Sequence, residues 1–203
     1  MFTKLQQTIE LLQNVEITEE RKAILRPLAE FIQNKLTDKK LINLHFICTH
    51  NSRRSQLSQI WAQMAAAYFN IPSIACYSGG TEETSIFPAV LHVLDEQGFS
   101  IQKISDFENP VYAIRYDENS LPIIGFSKKY NDPFNPANGF VAVMTCTQAD
   151  GECPLVFGAE VRIPITYEDP KISDHTPEQT ITYKERSLQI GAEMFYTFSL
   201  ISQ

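Results

Sequence analysis

Phe46-Ile47-Cys48-Thr49-His50-Asn51-Ser52-Arg53-Arg54-Ser55-Gln56 is the stretch on which the fold turns. Just before it, Leu41-Ile42-Asn43-Leu44-His45-Phe46-Ile47 is an apolar run of strand length. Beyond it, Leu57, Ile60, Trp61, Met64 and Ala65 recur at helical spacing. A strand, a polar loop and a helix thus follow one another. Such a loop wraps successive backbone N–H groups round a concavity at a helix N-terminus, which is an anion site by its dipoles alone. Arg54 opens the helix and adds a guanidinium fork suited to two oxygens of a tetrahedral oxyanion. The same field favours a thiolate at Cys48, and Thr49, Ser52 and Ser55 supply hydroxyls to support it. Asn51 is suited to pin the loop by bonding to backbone. The candidate oxyanion ligands are Thr49, His50, Asn51, Ser52, Arg53, Arg54 and Ser55. A Cys followed six positions later by Arg-Ser is a short pattern in itself, compatible with an inert strand-end thiol; the strand before it and the helix after it give it weight.

The rest of the chain extends this pattern. Ile74-Ala75-Cys76-Tyr77 reads as a second strand ending in Ser78-Gly79-Gly80, and 87–97 as a helix with Pro88 in its first turn. Residues 139–144 read as a third strand, 159–165 as a fourth and 180–201 as a closing helix. Strands alternating with helices argue for a parallel sheet covered on both faces. The expected fold is a three-layer α/β/α domain over 41–203 with a central four-stranded parallel sheet. Residues 109–138 break the alternation: two short apolar stretches, 111–116 and 121–126, flank Asp117-Glu118-Asn119-Ser120 as a β-hairpin insertion. Residues 1–40 form an N-terminal helical extension, with Leu5, Ile9, Leu11 and Leu12, then Ile24, Leu25, Leu28, Phe31, Ile32 and Leu36, at helical spacing. Thr18 is placed to cap the second helix, and Pro27 to kink it or mark its true beginning.

The chain has 203 residues, of which 43% are hydrophobic and 20% charged, so it can bury an ordinary core and is not a disordered chain. Its net charge of −7 argues against a nucleic-acid partner. No apolar run approaches the ~18 residues of a membrane span, and the N-terminus lacks the apolar stretch of a signal peptide. A cytoplasmic location without membrane attachment is expected. The four cysteines are Cys48, Cys76, Cys146 and Cys153. Nothing suggests secretion and hence structural disulfides. Cys146 and Cys153 are too far apart for the usual close zinc pairs, and no His lies near them. No metal and no cofactor is expected, and the thiols point to reactivity.

The loop at 46–56 resembles the nucleophile loop of the low-molecular-weight protein tyrosine phosphatase superfamily, and within it the thioredoxin-coupled arsenate reductases. Tyr77-Ser78-Gly79-Gly80 resembles their second-strand end. Val143-Met144-Thr145-Cys146-Thr147-Gln148-Ala149-Asp150-Gly151-Glu152-Cys153-Pro154 resembles their redox segment, and Tyr167-Glu168-Asp169-Pro170 the loop that carries the general acid. The resemblance spans roughly 42–108 and 139–200. It implies catalytic roles for Cys48, Arg54, Cys146, Cys153 and Asp169. In an arsenate reductase Cys48 attacks arsenate, Asp169 protonates the departing oxygen, and a disulfide passes from Cys48–Cys146 to Cys146–Cys153, which thioredoxin reduces. The polar segment 147–152 would loop out to shorten the gap. In a phosphatase, Cys48 forms a phosphocysteine, Asp169 protonates the leaving phenolate, and Cys146 and Cys153 are idle. A non-catalytic oxyanion-binding module is a third reading.

Several positions depart from the family pattern. His50 stands where the family usually has Gly, which carries a cost if that position needs a positive φ. Arg53 stands where reductases often have another Cys, and adds positive charge beside the cradle. Gln59 replaces a Glu associated with a potassium site in some reductases. Cys76 reads as a small buried residue, Tyr167 as an aromatic wall of the site, and His45 and His92 as structural or solvent-facing, while His175 follows Asp169-Pro170 toward the mouth of the site without a catalytic assignment.

Overall fold

Every residue of Ile42–Cys48 except Asn43 is buried, as befits a strand packed on both faces. This strand, β1, lies at the centre of a parallel sheet in the computed structural model, which describes residues 1–152 and 155–202. It pairs on one side with β2 (Ile74–Gly80), Cys48 opposite Gly80, and on the other with β6 (Phe140–Met144). The edge beyond β6 is β7 (Ala159–Pro164), giving the order β2-β1-β6-β7. The architecture is α/β, with a four-stranded parallel sheet flanked by helices, as expected.

Alternation along β1 divides the core. Ile42, Leu44 and Phe46 face a large apolar cluster with residues from α3 (Arg54–Tyr68), α4 (Pro88–Glu96) and α6 (Gln179–Ser199). The same cluster takes Leu5, Ile9 and Leu12 from α1 (Thr3–Leu12) and Leu25, Leu28 and Ile32 from α2 (Glu19–Thr37). Ile47, Phe140, Ala142 and Met144 face the other way, into a smaller cluster closed by Cys48, Cys146, Ala149, Val156 and Tyr130. On this second face the helical layer is thin, consisting of α5 (Thr147–Glu152).

Thr18 caps α2, its hydroxyl accepting from the Arg21 amide at 3.2 Å. Pro27 neither begins nor ends this helix, which runs through it from Glu19 to Thr37. Burial of Leu25, Leu28 and Ile32 around it offsets the one backbone bond that a proline forgoes. Segment 147–152, the polar stretch expected to loop out in a disulfide relay, is helical here. The hairpin forms as β4 (Tyr112–Arg115) against β5 (Ile123–Gly125), joined by a further strand, β3 (Ser100–Lys103), into an antiparallel three-stranded sheet. Beyond the hairpin the chain runs along the end of β2: the Gly80 amide donates to the Lys128 carbonyl at 2.9 Å, and Tyr130 N donates to Gly80 O at 2.8 Å. Among the described residues no helix is long and apolar enough to cross a membrane.

Candidate active site

Cys48 ends β1 and Arg54 begins α3, so residues 49–53 must turn the chain from the sheet edge into the helix. The turn is fixed from outside by its carbonyls. Cys48 O accepts from Thr81 N (3.1 Å), Thr49 O from Glu82 N (2.8 Å), and Ser52 O from Phe87 N (3.1 Å). His50 O accepts from the Ser127 hydroxyl (2.9 Å) and Asn51 O from Gln56 Nε2 (3.1 Å). In a trans peptide the N–H points opposite to the C=O. Five consecutive outward carbonyls therefore turn the N–H groups of residues 49–53 inward, where no acceptor for them exists among the described residues. That is the geometry of an anion cradle.

Gly80 leaves room for this loop. A Cβ there would meet Thr49 O at 2.6 Å and Asn51 N at 2.8 Å. The left-handed residue of the loop is Asn51, at φ 47°, and not His50. Asn tolerates that region better than most residues, so His50 bears no such cost. The buried Asn51 amide ties the loop together: its Oδ1 accepts from Lys128 N at 3.0 Å and Gln56 Nε2 at 3.1 Å, and its Nδ2 donates to Ser55 Oγ at 2.8 Å. Ser55 Oγ lies 3.0 Å from Cys48 Sγ. With Asn51 donating to that oxygen, the Ser55 proton is available to the sulfur whenever Cys48 is a thiolate, which can only accept.

The other two hydroxyls expected at the sulfur go elsewhere. Ser52 Oγ donates to Ser85 O at 2.6 Å, and Thr49 Oγ1 lies 3.5 Å from the sulfur of Cys146 instead. Cys146 follows β6, is buried and free, and accepts from Ala149 N in the first turn of α5 at 3.3 Å. Cys48 and Cys146 thus share the smaller core cluster. Cys153 lies outside the described residues.

Arg54 reaches back over the strand ends to the segment after β7. One guanidinium nitrogen donates to Tyr167 O at 3.0 Å and another pairs with the Asp169 carboxylate, while Nε is buried without a partner. Asp169 Oδ1 also caps the 3₁₀ turn Pro170–Ser173, accepting from Lys171 N at 3.1 Å. Arg53 turns away from the cradle. Its charge is committed to Asp174 at 2.5 Å and lies over the Phe87 ring, 4.2 Å from the centroid, so its side chain adds no free positive charge beside the loop. Tyr183 donates to the other oxygen of Asp174 at 2.6 Å. His50 sits at the mouth, half-exposed, 3.3 Å from Glu82.

A cleft of about 380 Å³ opens beside this arrangement, between Arg54, Gln148, Glu168, Asp169, Arg186 and Gln189. Arg186 and Gln189, on the closing helix, carry no motif that sequence reading would single out. Tyr167 contributes its carbonyl and a place in the cleft lining. Cys76 is buried, and that burial pushes its thiol up, consistent with an inert residue. His45 is buried against Phe140; desolvation, aided by the charge of Lys128, drives it down to about 3. His92 is exposed on α4 beside Glu96, and His175 packs its ring edge-on to Phe87. Among the described residues, no group of three or more His, Cys, Asp or Glu is placed to hold a metal.

No protein-family model and no curated protein matches the chain by sequence. Solved structures do match in shape. A low-molecular-weight phosphotyrosine phosphatase from Vibrio cholerae is 12% identical, with 78% of this chain and 94% of that one covered, at a TM-score of 0.51. An arsenate reductase in its oxidised state is 16% identical, covering 80% and 100%, at 0.50. A YwlE mutant from Bacillus subtilis is 10% identical, covering 78% and 97%, also at 0.50. The chain has the fold of the low-molecular-weight protein tyrosine phosphatases and arsenate reductases.

Proposed function

We propose that this protein is an arsenate reductase that uses Cys48 as nucleophile and Cys146 as the first resolving thiol. The observation that carries the reading is the placement of Cys146: free, buried in one cluster with Cys48, and 3.5 Å from the Thr49 hydroxyl of the cradle. A phosphatase has no use for a second thiol there.

In this reading the inward amides of 49–53 and Arg54 hold the arsenate oxygens. Ser55 supports the Cys48 thiolate, which attacks arsenic as Asp169 passes a proton to the departing oxygen. Cys146 then attacks Cys48 Sγ. The S–S bond forms, the S–As bond breaks, and its electron pair stays on arsenic, which leaves as arsenite. Cys153 attacks Cys146 in turn and frees Cys48, and thioredoxin reduces the Cys146–Cys153 disulfide. That last exchange requires α5, which separates the two cysteines in sequence, to open.

Aryl-phosphate hydrolysis is the second reading, favoured by the contact between Asp169 and Arg54. The carboxyl that would protonate a leaving phenolate lies against the arginine that follows the loop. The two readings separate on assays of arsenate reduction with a thioredoxin system and of chromogenic aryl-phosphate hydrolysis. Cys146→Ser and Cys153→Ser are expected to abolish the first. Hydrolysis unchanged in both variants, with no arsenate turnover by the wild type, would leave the phosphatase. Neither activity in the wild type would leave a binding module.

A further inference from the structure

Arg186 stands in the cleft as a cation without a counter-ion. It projects from α6 into the space that Arg54, Asp169 and Gln148 also line. Its one hydrogen-bond partner is the neutral Gln189 Oε1, no carboxylate lies within ion-pair distance among the described residues, and its Nε is buried without an acceptor.

The surroundings explain why its charge stays uncompensated. Gln189 is held in turn: its Nε2 donates to Glu193 Oε1 at 3.0 Å. Glu185, next to Arg186 on the helix, is exposed and forms no ion pair with it, and Glu193, two turns on, is taken in fork fashion by Arg21, at 2.9 and 2.7 Å. Asp169 is taken by Arg54. Glu168 lines the cleft, but its side chain is exposed and does not close on Arg186. Burial holds the Arg186 guanidinium below its ordinary range; Arg54 adds to that effect, while Glu168, Glu193 and Tyr167 oppose it. A chain of polar contacts from Arg21 through Glu193 and Gln189 therefore fixes a half-buried guanidinium with no carboxylate bonded to it, close to Arg54, whose own charge is paired with Asp169.

Guanidinium groups in such settings pair with carboxylate or phosphate oxygens. An inorganic tetrahedral anion seated in the cradle is already served by the inward loop amides. We propose that Arg186 binds a second anionic group, a carboxylate, carried on an organic arm of a ligand whose phosphoryl or other tetrahedral oxyanion end occupies the cradle. The cleft then favours oxyanion ligands that carry a carboxylate over those whose arm is neutral. The inference rests on the cradle of the proposed function, but not on which reaction follows there.

Calorimetric binding of ω-carboxyalkylphosphonates with two to four methylenes, each compared with its own carboxamide, tests this without any turnover. Inorganic phosphate reports on the cradle itself. In the wild type at least one carboxylate is expected to bind about tenfold more tightly than its amide, the scale of one charge-assisted pair. Arg186→Gln should bring that ratio to about one while phosphate still binds, and Arg186→Lys should keep part of it. A merely structural role would weaken acid and amide alike and leave the ratio unmoved. Phosphate binding with a ratio of one at every chain length would overturn the inference and spare the cradle. No binding of phosphate or of any phosphonate would overturn both.

Discussion

At the scale of single residues, the cradle works because each hydrogen bond has a direction. Asn51 donates to Ser55, and Ser55 donates to Cys48 once that sulfur is a thiolate. A hydrogen bond to a charged partner contributes about 1.5–3 kcal/mol, and ~1.4 kcal/mol is a factor of ten in rate. Ser55→Ala is therefore expected to slow alkylation of Cys48 by iodoacetamide at pH 7 by about tenfold to a hundredfold, with phosphate binding retained through the loop amides. An unchanged alkylation rate would show that this hydroxyl does not support the sulfur. The loop was legible as a cradle from Cys48, the five residues after it and Arg54. Which hydroxyl meets the sulfur was not legible. Thr49, Ser52 and Ser55 are equivalent on paper, and the path of the loop against Gly80 and Lys128 separates them. The same holds for the left-handed position: His and Asn both tolerate it, and packing places it at Asn51.

At the scale of elements, long apolar runs reported themselves and short or polar ones did not. The four strands of the main sheet follow their sequence signals to within a few residues. Ser100–Lys103 has one apolar residue, Ile101, and becomes a strand because the hairpin supplies a partner. Residues 147–152 are polar with a glycine, yet form α5 with Ala149 buried beneath it. The buried imidazole of β1 makes a test at this scale. His45 titrates near 3 when folded and near 6.5 as a free side chain. Between those values the unfolded chain holds a proton that the folded chain refuses, so stability falls as pH drops below 6.5. From pH 7 to pH 5 the loss through this residue is about 2 kcal/mol. Urea unfolding at the two pH values should show it, and His45→Phe should remove that share of the loss. An equal loss in the variant would place the acid sensitivity elsewhere.

At the scale of the whole molecule, the N-terminal helices and the four-stranded sheet share one apolar core. The Arg21–Glu193 pair links α2 to α6 across it, with Glu193 only 2% exposed. Leaving one member of a buried pair uncompensated costs about 3–5 kcal/mol. Arg21→Met is therefore expected to lower the free energy of unfolding in urea by that amount. A change under about 1 kcal/mol would mean that water already reaches Glu193. Sequence periodicity showed that these helices had an apolar face, but not what that face would cover. Nor did it show that Arg21, acting through Glu193 and Gln189, steadies a guanidinium in the cleft.

The proposed reduction depends on communication between two sulfurs. In Cys153→Ser the relay has nowhere to go after its first exchange. Mass spectrometry of this variant after a single exposure to arsenate should find one Cys48–Cys146 disulfide and one arsenite released per chain. Both cysteines still free after arsenate exposure, in a protein that hydrolyses aryl phosphate at full rate, would contradict it.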